Sequence, residues 1–142
     1  MRRRGRLMMT LVLALLVSAG AGACGGDGGV VPIPEEQSIV VITLNLAAGV
    51  PELRQVQVKA HLANPAMDTD LFFPTVPAGP IQSGATLALL IPITRMGLLD
   101  LIIFGLDAGG TAVARGNGQT TIMVGDRVDY TISLSACGGP CN

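Results

Sequence analysis

From Ser38 onward, apolar residues recur at every second position, in runs separated by Gly, Pro, Asn and Asp. No long stretch follows a period of 3.6, so the pattern predicts strands rather than helices. Ser38–Leu46 puts Val40, Ile42, Leu44 and Leu46 on one face, with Thr43 and Asn45 opposite. Leu53–Leu62 alternates Val56, Val58, Ala60 and Leu62 with Gln55, Gln57, Lys59 and His61, a strand with one wet face. Asn64–Pro80 is turn-rich and leaves room for one short strand around Leu71–Phe73. Thr86–Ile93 places Leu87, Leu89, Ile91 and Ile93 together, and Leu98–Leu106 follows. Asp107-Ala108-Gly109-Gly110 predicts a hairpin into Thr111–Arg115. Gln119–Val124, Gly125-Asp126 and Arg127–Leu134 predict a second, in which Gly125 supplies a positive φ. The last strand sets Val128, Tyr130, Ile132 and Leu134 against Arg127, Asp129, Thr131 and Ser133.

About seven short strands with turns between them predict an all-β domain over 38–135, a single antiparallel β-sandwich. Leu106–Leu134, with D-A-G-G-T-A-V-A-R-G, then a G-D turn and an alternating last strand, resembles the closing half of bacterial immunoglobulin-like or transthyretin-like modules. That resemblance implies architecture and not activity.

The first 23 residues read as an address. Met1–Arg6 is basic, Leu7–Val17 is apolar, and small residues run from Ser18 to Ala23. This is the layout of a bacterial export signal, and the apolar run is shorter than the roughly 20 residues that span a bilayer. Ala21-Gly22-Ala23 before Cys24 resembles the lipobox of bacterial lipoproteins. The resemblance implies cleavage between Ala23 and Cys24, with a diacylglycerol on the Cys24 thiol. The departure is Ala21, where that family most often has Leu or Val; the same three residues also fit the A-x-A site of a secreted protein. The chain has three cysteines, and lipidation of Cys24 leaves Cys137 and Cys141 as a pair. Residues 24–37 then form a Gly- and Pro-rich linker, expected to act as a tether. In the enteric-type sorting that the lipoprotein resemblance implies, Gly25 rather than Asp after the cysteine favours an outer membrane over an inner one in an organism that has both.

Charge sharpens this reading. Four of the nine basic residues, Arg2, Arg3, Arg4 and Arg6, lie in the signal; from Cys24 on, five basic residues face ten acidic ones, a net of −5. Such a domain has no electrostatic footprint for nucleic acid. Half the residues are apolar, and the core must be aliphatic, because there is no Trp, one Tyr and three Phe.

Candidate chemistry is sparse. His61 is the one histidine and falls in phase with the wet residues of its strand. Asp68-Thr69-Asp70 reads as a polar turn, without the oxygen spacing of a Ca²⁺ loop. Glu35-Glu36 lies in the linker, and Ser83 and Ser133 lack the surroundings of a nucleophile elbow. Cys137-Gly138-Gly139-Pro140-Cys141, in the tail 136–142, has three residues between its thiols where a redox motif has two, so outside the cytoplasm a structural disulfide is expected. No cofactor or metal is expected, and an enzyme is the least favoured class.

One strand breaks the two-face rule. With Leu99, Leu101 and Ile103 inward, Leu98, Ile102, Phe104 and Leu106 point outward, and Leu90 is expected beside them on a neighbouring strand. Either the linker or Asn64–Pro80 folds over this face, or it is an exposed patch that docks an envelope partner or a second copy. The expectation is a lipid-anchored, non-catalytic envelope protein with a structural or protein-binding role; the alternative is a carbohydrate- or peptide-binding module, against which the lack of Trp counts.

Overall fold

The structure is a computed structural model that describes residues 37–63, 66–139 and 141. Cys24, the signal segment and Glu35-Glu36 lie outside the described residues. Seven strands follow in chain order: β1 (Gln37–Leu46), β2 (Gln55–Ala63), β3 (Ala66–Phe73), β4 (Thr86–Pro92), β5 (Gly97–Leu106), β6 (Ala112–Ile122) and β7 (Arg127–Ala136). No helix occurs among the described residues.

The alternation seen in the sequence sets the faces. Val40, Ile42 and Leu44 of β1, Val56, Val58 and Leu62 of β2 and Leu87, Leu89 and Ile91 of β4 are buried. So are Leu99, Leu101 and Ile103 of β5 and Ile132 and Leu134 of β7. They form one core. The strands join in a single sheet ordered β3-β2-β5-β6-β7-β1-β4. Its free edges, β3 and β4, curl toward each other: Met67 and Leu71 line one small cavity with Leu89, Leu90 and Ile91. The result is nearly a barrel.

The sheet is mixed, not purely antiparallel. β1 and β7 run parallel, from Ile39 opposite Arg127 to Leu46 opposite Leu134. This corrects the expected second hairpin. The tight turn is present, with Gly125 at φ 75° and the Asp126 N–H donating to Met123 O at 3.2 Å. Yet the paired positions of β6 and β7 are Ala114 with Ala136 and Arg115 with Ser135, at the end away from the turn. Next to the turn the strands part, and β7 pairs with β1 instead. The two runs Thr111–Arg115 and Gln119–Val124 are also one strand, continuous through Gly116 and Gly118.

Glycine makes this crossing possible. A Cβ on Gly116 would lie 2.5 Å from the Ser133 carbonyl oxygen, and one on Gly118 would lie 2.5 Å from the Tyr130 ring. Tyr130 occupies the gap, and its hydroxyl accepts the Gln119 N–H at 3.3 Å. The hairpin from β5 to β6 forms as expected: Asp107 Oδ1 accepts the N–H groups of Gly109 and Thr111 at 2.8 and 2.9 Å.

Two ends result. At one, the long connections 47–54 and 74–85 close the core through buried Leu53, which bridges to Ile81 and packs on Gly105. At the other lie the start of β1, the end of β2, the start of β3 and the short turns β4–β5 and β6–β7. There Ser38, in phase with the core and fully buried, donates its hydroxyl to Met123 O at 2.8 Å and accepts the Gly125 N–H at 3.1 Å.

Two stability effects follow. Gly116→Ala is expected to lower the unfolding free energy by about 1–3 kcal/mol, since backbone cannot move aside as a side-chain tip can. Gly79→Ala, with open space around it, is the control and should change little in urea denaturation. Ser38→Ala should cost about 1 kcal/mol by taking the partner from the Gly125 N–H while Met123 O keeps the Asp126 N–H, whereas Ser38→Thr, keeping the hydroxyl, should recover part of it.

Candidate functional site

The outward surface of β3-β2-β5-β6 carries most of the polar residues marked in the sequence. The register aligns them in rows. Phe72, Gln57, Phe104 and Arg115 form one row; Asp70, Lys59, Ile102 and Asn117 the next; Asp68, His61, Asp100 and Gln119 the third. An open depression of about 410 Å³ lies here, lined among others by Lys59, His61, Asp68, Asp70, Asp100 and Ile102.

Its carboxylates are each met by a side chain of a neighbouring strand. His61 Nδ1 lies 2.7 Å from Asp68 Oδ1, with both side chains open to solvent. Gln57 donates to both oxygens of Asp70, at 2.8 and 3.0 Å. Gln119 donates to Asp100. Asp68-Thr69-Asp70 is therefore not a turn but the outer strand β3, and its carboxylates meet the wet face of β2. Contacts this exposed contribute at most about 1 kcal/mol each. Among the described residues no group of three His, Cys, Asp or Glu is placed to hold a metal ion. Ser83 and Ser133 both lie against Asn45: Ser83 donates to it at 3.2 Å and accepts the Leu46 N–H at 3.0 Å, and Asn45 donates to Ser133 at 3.4 Å. They fasten β1 to its neighbours.

The apolar face expected on β5 is only partly assembled. Leu98, Ile102 and Phe104 do point outward together. Leu90 does not join them, because β4 is the far edge of the sheet and Leu90 faces Ile39. Leu106 is buried without joining the core cluster, since it stays in register opposite Gln55 on the outward face and is covered there. Its partner Gln55, outward by phase, is buried too and donates its amide to Pro74 O at 2.8 Å. The chain leaving β3 thus covers this end of the face.

Further along, Phe104 is covered by side chains of the neighbouring strands. Lys59 Nζ lies 5.5 Å from its ring centroid and Arg115 Cζ 5.6 Å, both within cation–π range. Sequence reasoning missed this cover, although the pairing of β2 with β5 would have implied it. At the tail, Cys137 and Cys141 form a disulfide with Cα atoms 5.6 Å apart. Their N–H groups donate to Val113 O and Ala112 O, so the tail runs back along the start of β6.

Ile102→Lys and Phe104→Glu replace half-buried outward side chains. Each should cost about 1 kcal/mol, against about 2–5 kcal/mol for Leu99→Ala in the core. Urea denaturation separates the two cases, and unfolding of either outward variant would mark this face as core.

No protein-family model and no curated protein sequence matches the chain. Among solved structures, the chain is similar to the crystal structure of a DUF4876 family protein from Bacteroides thetaiotaomicron VPI-5482, at 12% identity and a TM-score of 0.41. The match covers 70% of this chain and 23% of that one.

Proposed function

We propose that the chain is an exported lipoprotein, held at the cell envelope by a lipid on Cys24, whose all-β domain serves a structural or protein-binding role without catalysis. Cysteine pairing carries the reading. Cys137 and Cys141 bond to each other and leave Cys24 as the odd thiol, directly after the small residues Ala21-Gly22-Ala23. An odd cysteine in an exported protein calls for a use, and thioether attachment of a diacylglycerol is one.

The grouping of strands supports a finer architectural proposal. β4-β1-β7 and β3-β2-β5-β6 lie on either side of one core and meet at the β6–β7 corner, which suits an immunoglobulin-like or transthyretin-like sandwich. The binding role falls to the outward surface of β5, where Leu98, Ile102 and Phe104 would meet an envelope partner or a second copy. Ile102→Lys would then weaken co-purification or self-association while the fold persists.

The anchor is tested on protein from native membranes. Mass spectrometry of the mature N-terminus should find an acylated Cys24, and Cys24→Ser should release the protein into the soluble fraction or block its processing. A wild-type protein that is soluble with an unmodified Cys24 would falsify the anchor.

A further inference from the structure

The exposed large apolar side chains are unevenly distributed. Among the described residues they are Phe72, Val76, Met96, Leu98, Met123 and Val124. Phe72 and Val76 belong to the end that the long connections close. The other four lie at the opposite end. Gly97 pairs with Ile122, so Met96 and Met123 continue the same ladder outward, and Leu98 faces Thr121 just inside it. Met123 is 65% exposed, Met96 55%, Val124 50% and Leu98 47%. The core accounts for none of this exposure.

The N-terminal segment reaches the domain at this same end. Ser38 is bonded to Met123 O and to the Gly125 N–H, and the Ile39 N–H donates to Asp126 O at 2.8 Å. The chain from Cys24 therefore joins the domain directly beside the turn that carries Met123 and Val124. Twelve residues, Gly25–Glu36, lie between. Fully extended they span roughly 40 Å, and as a relaxed coil about 20 Å. A lipid on Cys24 would hold this rim within reach of the bilayer.

We infer that Met96, Leu98, Met123 and Val124 form a rim that dips into the lipid surface to which the chain is tethered; this rests on the anchor proposed at Cys24. Four apolar side chains are too little to bind a membrane alone. A tether makes their contact intramolecular, and a weak contact is then occupied much of the time. The charges at this end are mixed, with Arg95 and Arg127 against Asp126 and Asp129, and with Asp100, Asp68 and His61 in the row just inside Leu98. Arg127 already pairs with Asp129, and Arg95 donates to Ala66 O. Apolar insertion, rather than attraction to anionic headgroups, is the contact this rim can make.

The chain has no Trp, so one introduced Trp is a clean reporter. The full mature protein, purified from membranes with its N-terminus intact, is reconstituted in phosphatidylcholine vesicles with brominated acyl chains. Met123→Trp should shift its emission to the blue and be quenched severalfold more than Val76→Trp, the control at the far end. Equal, weak quenching at both positions in protein that floats with the vesicles overturns the rim. So does a blue shift at position 123 that needs no vesicles and grows with protein concentration, which would mark a contact between copies. The anchor is judged separately, by the mass of the N-terminal peptide. If Cys24 proves unmodified, its thiol is coupled to a maleimide lipid in the same vesicles: quenching at position 123 keeps the rim without the native anchor, and its absence rejects the rim as well as the anchor.

Discussion

The fold depends on the parallel ladder between its first and last strands. β1 and β7 pair from Ile39–Arg127 to Leu46–Leu134. No tight turn can make such a pair, because parallel neighbours need a crossover, and here the crossover is the rest of the domain. The ladder attaches β4, the antiparallel neighbour of β1, to β7 through β1, and so decides which strands become edges. It also brings Val40, Ile42 and Leu44 beside Ile132 and Leu134, which completes the core. Little of that core exists until both ends of the domain are in place, so its formation carries a large loop-closure cost that apolar burial must offset.

The ladder requires β7 to leave β6 soon after the turn between them. Two strands joined by a tight turn would otherwise zip together from it. Gly116 and Gly118 resolve the conflict. Bare backbone on β6 lets the Ser133 carbonyl approach at one position and the Tyr130 ring at the other. The Tyr130 hydroxyl takes up the Gln119 N–H, so the parting of the strands does not strand that donor. Glycine inside a strand is ordinarily unfavourable, and here it marks a close backbone approach.

Those glycines also explain what was and was not legible in the sequence. Alternation within each run specified the buried faces, because a one-residue slip would invert them. The β5–β6 hairpin was legible because Asp107 and the glycines after it act locally. Pairing between distant strands leaves no such local trace, so the parallel β1–β7 ladder was read as a second hairpin from a turn that is real. β3 was largely missed because Asp68 and Asp70 are poor strand formers; at an edge, charge is tolerated and discourages pairing with another chain. Of the candidate site, the outward set Leu98, Ile102 and Phe104 was legible from phase alone. The departure of Leu90 was not, since it follows from strand order. Nor was the burial of Leu106, which like that of its partner Gln55 follows from the chain after β3 covering this end of the face.

The unequal exposure along β5 has a cross-strand cause. Phe104 sits between Gln57 and Arg115, and Ile102 between Lys59 and Asn117. The charged heads of Lys59 and Arg115 lie over the Phe104 ring, so an outward aromatic side chain is half-buried without any loop over it. Leu98 has no such neighbours. It faces Thr121 on β6, and on the other side β2 is ending, with Ala63 following the Leu62 that pairs with Leu99. Long polar side chains thus cover the middle of the strand, the backbone after β3 covers one end, and short neighbours leave the other end bare. That bare end is where the N-terminal segment meets the domain at Ser38, so under the anchor proposed at Cys24 this surface is the part of the domain that would be held closest to it.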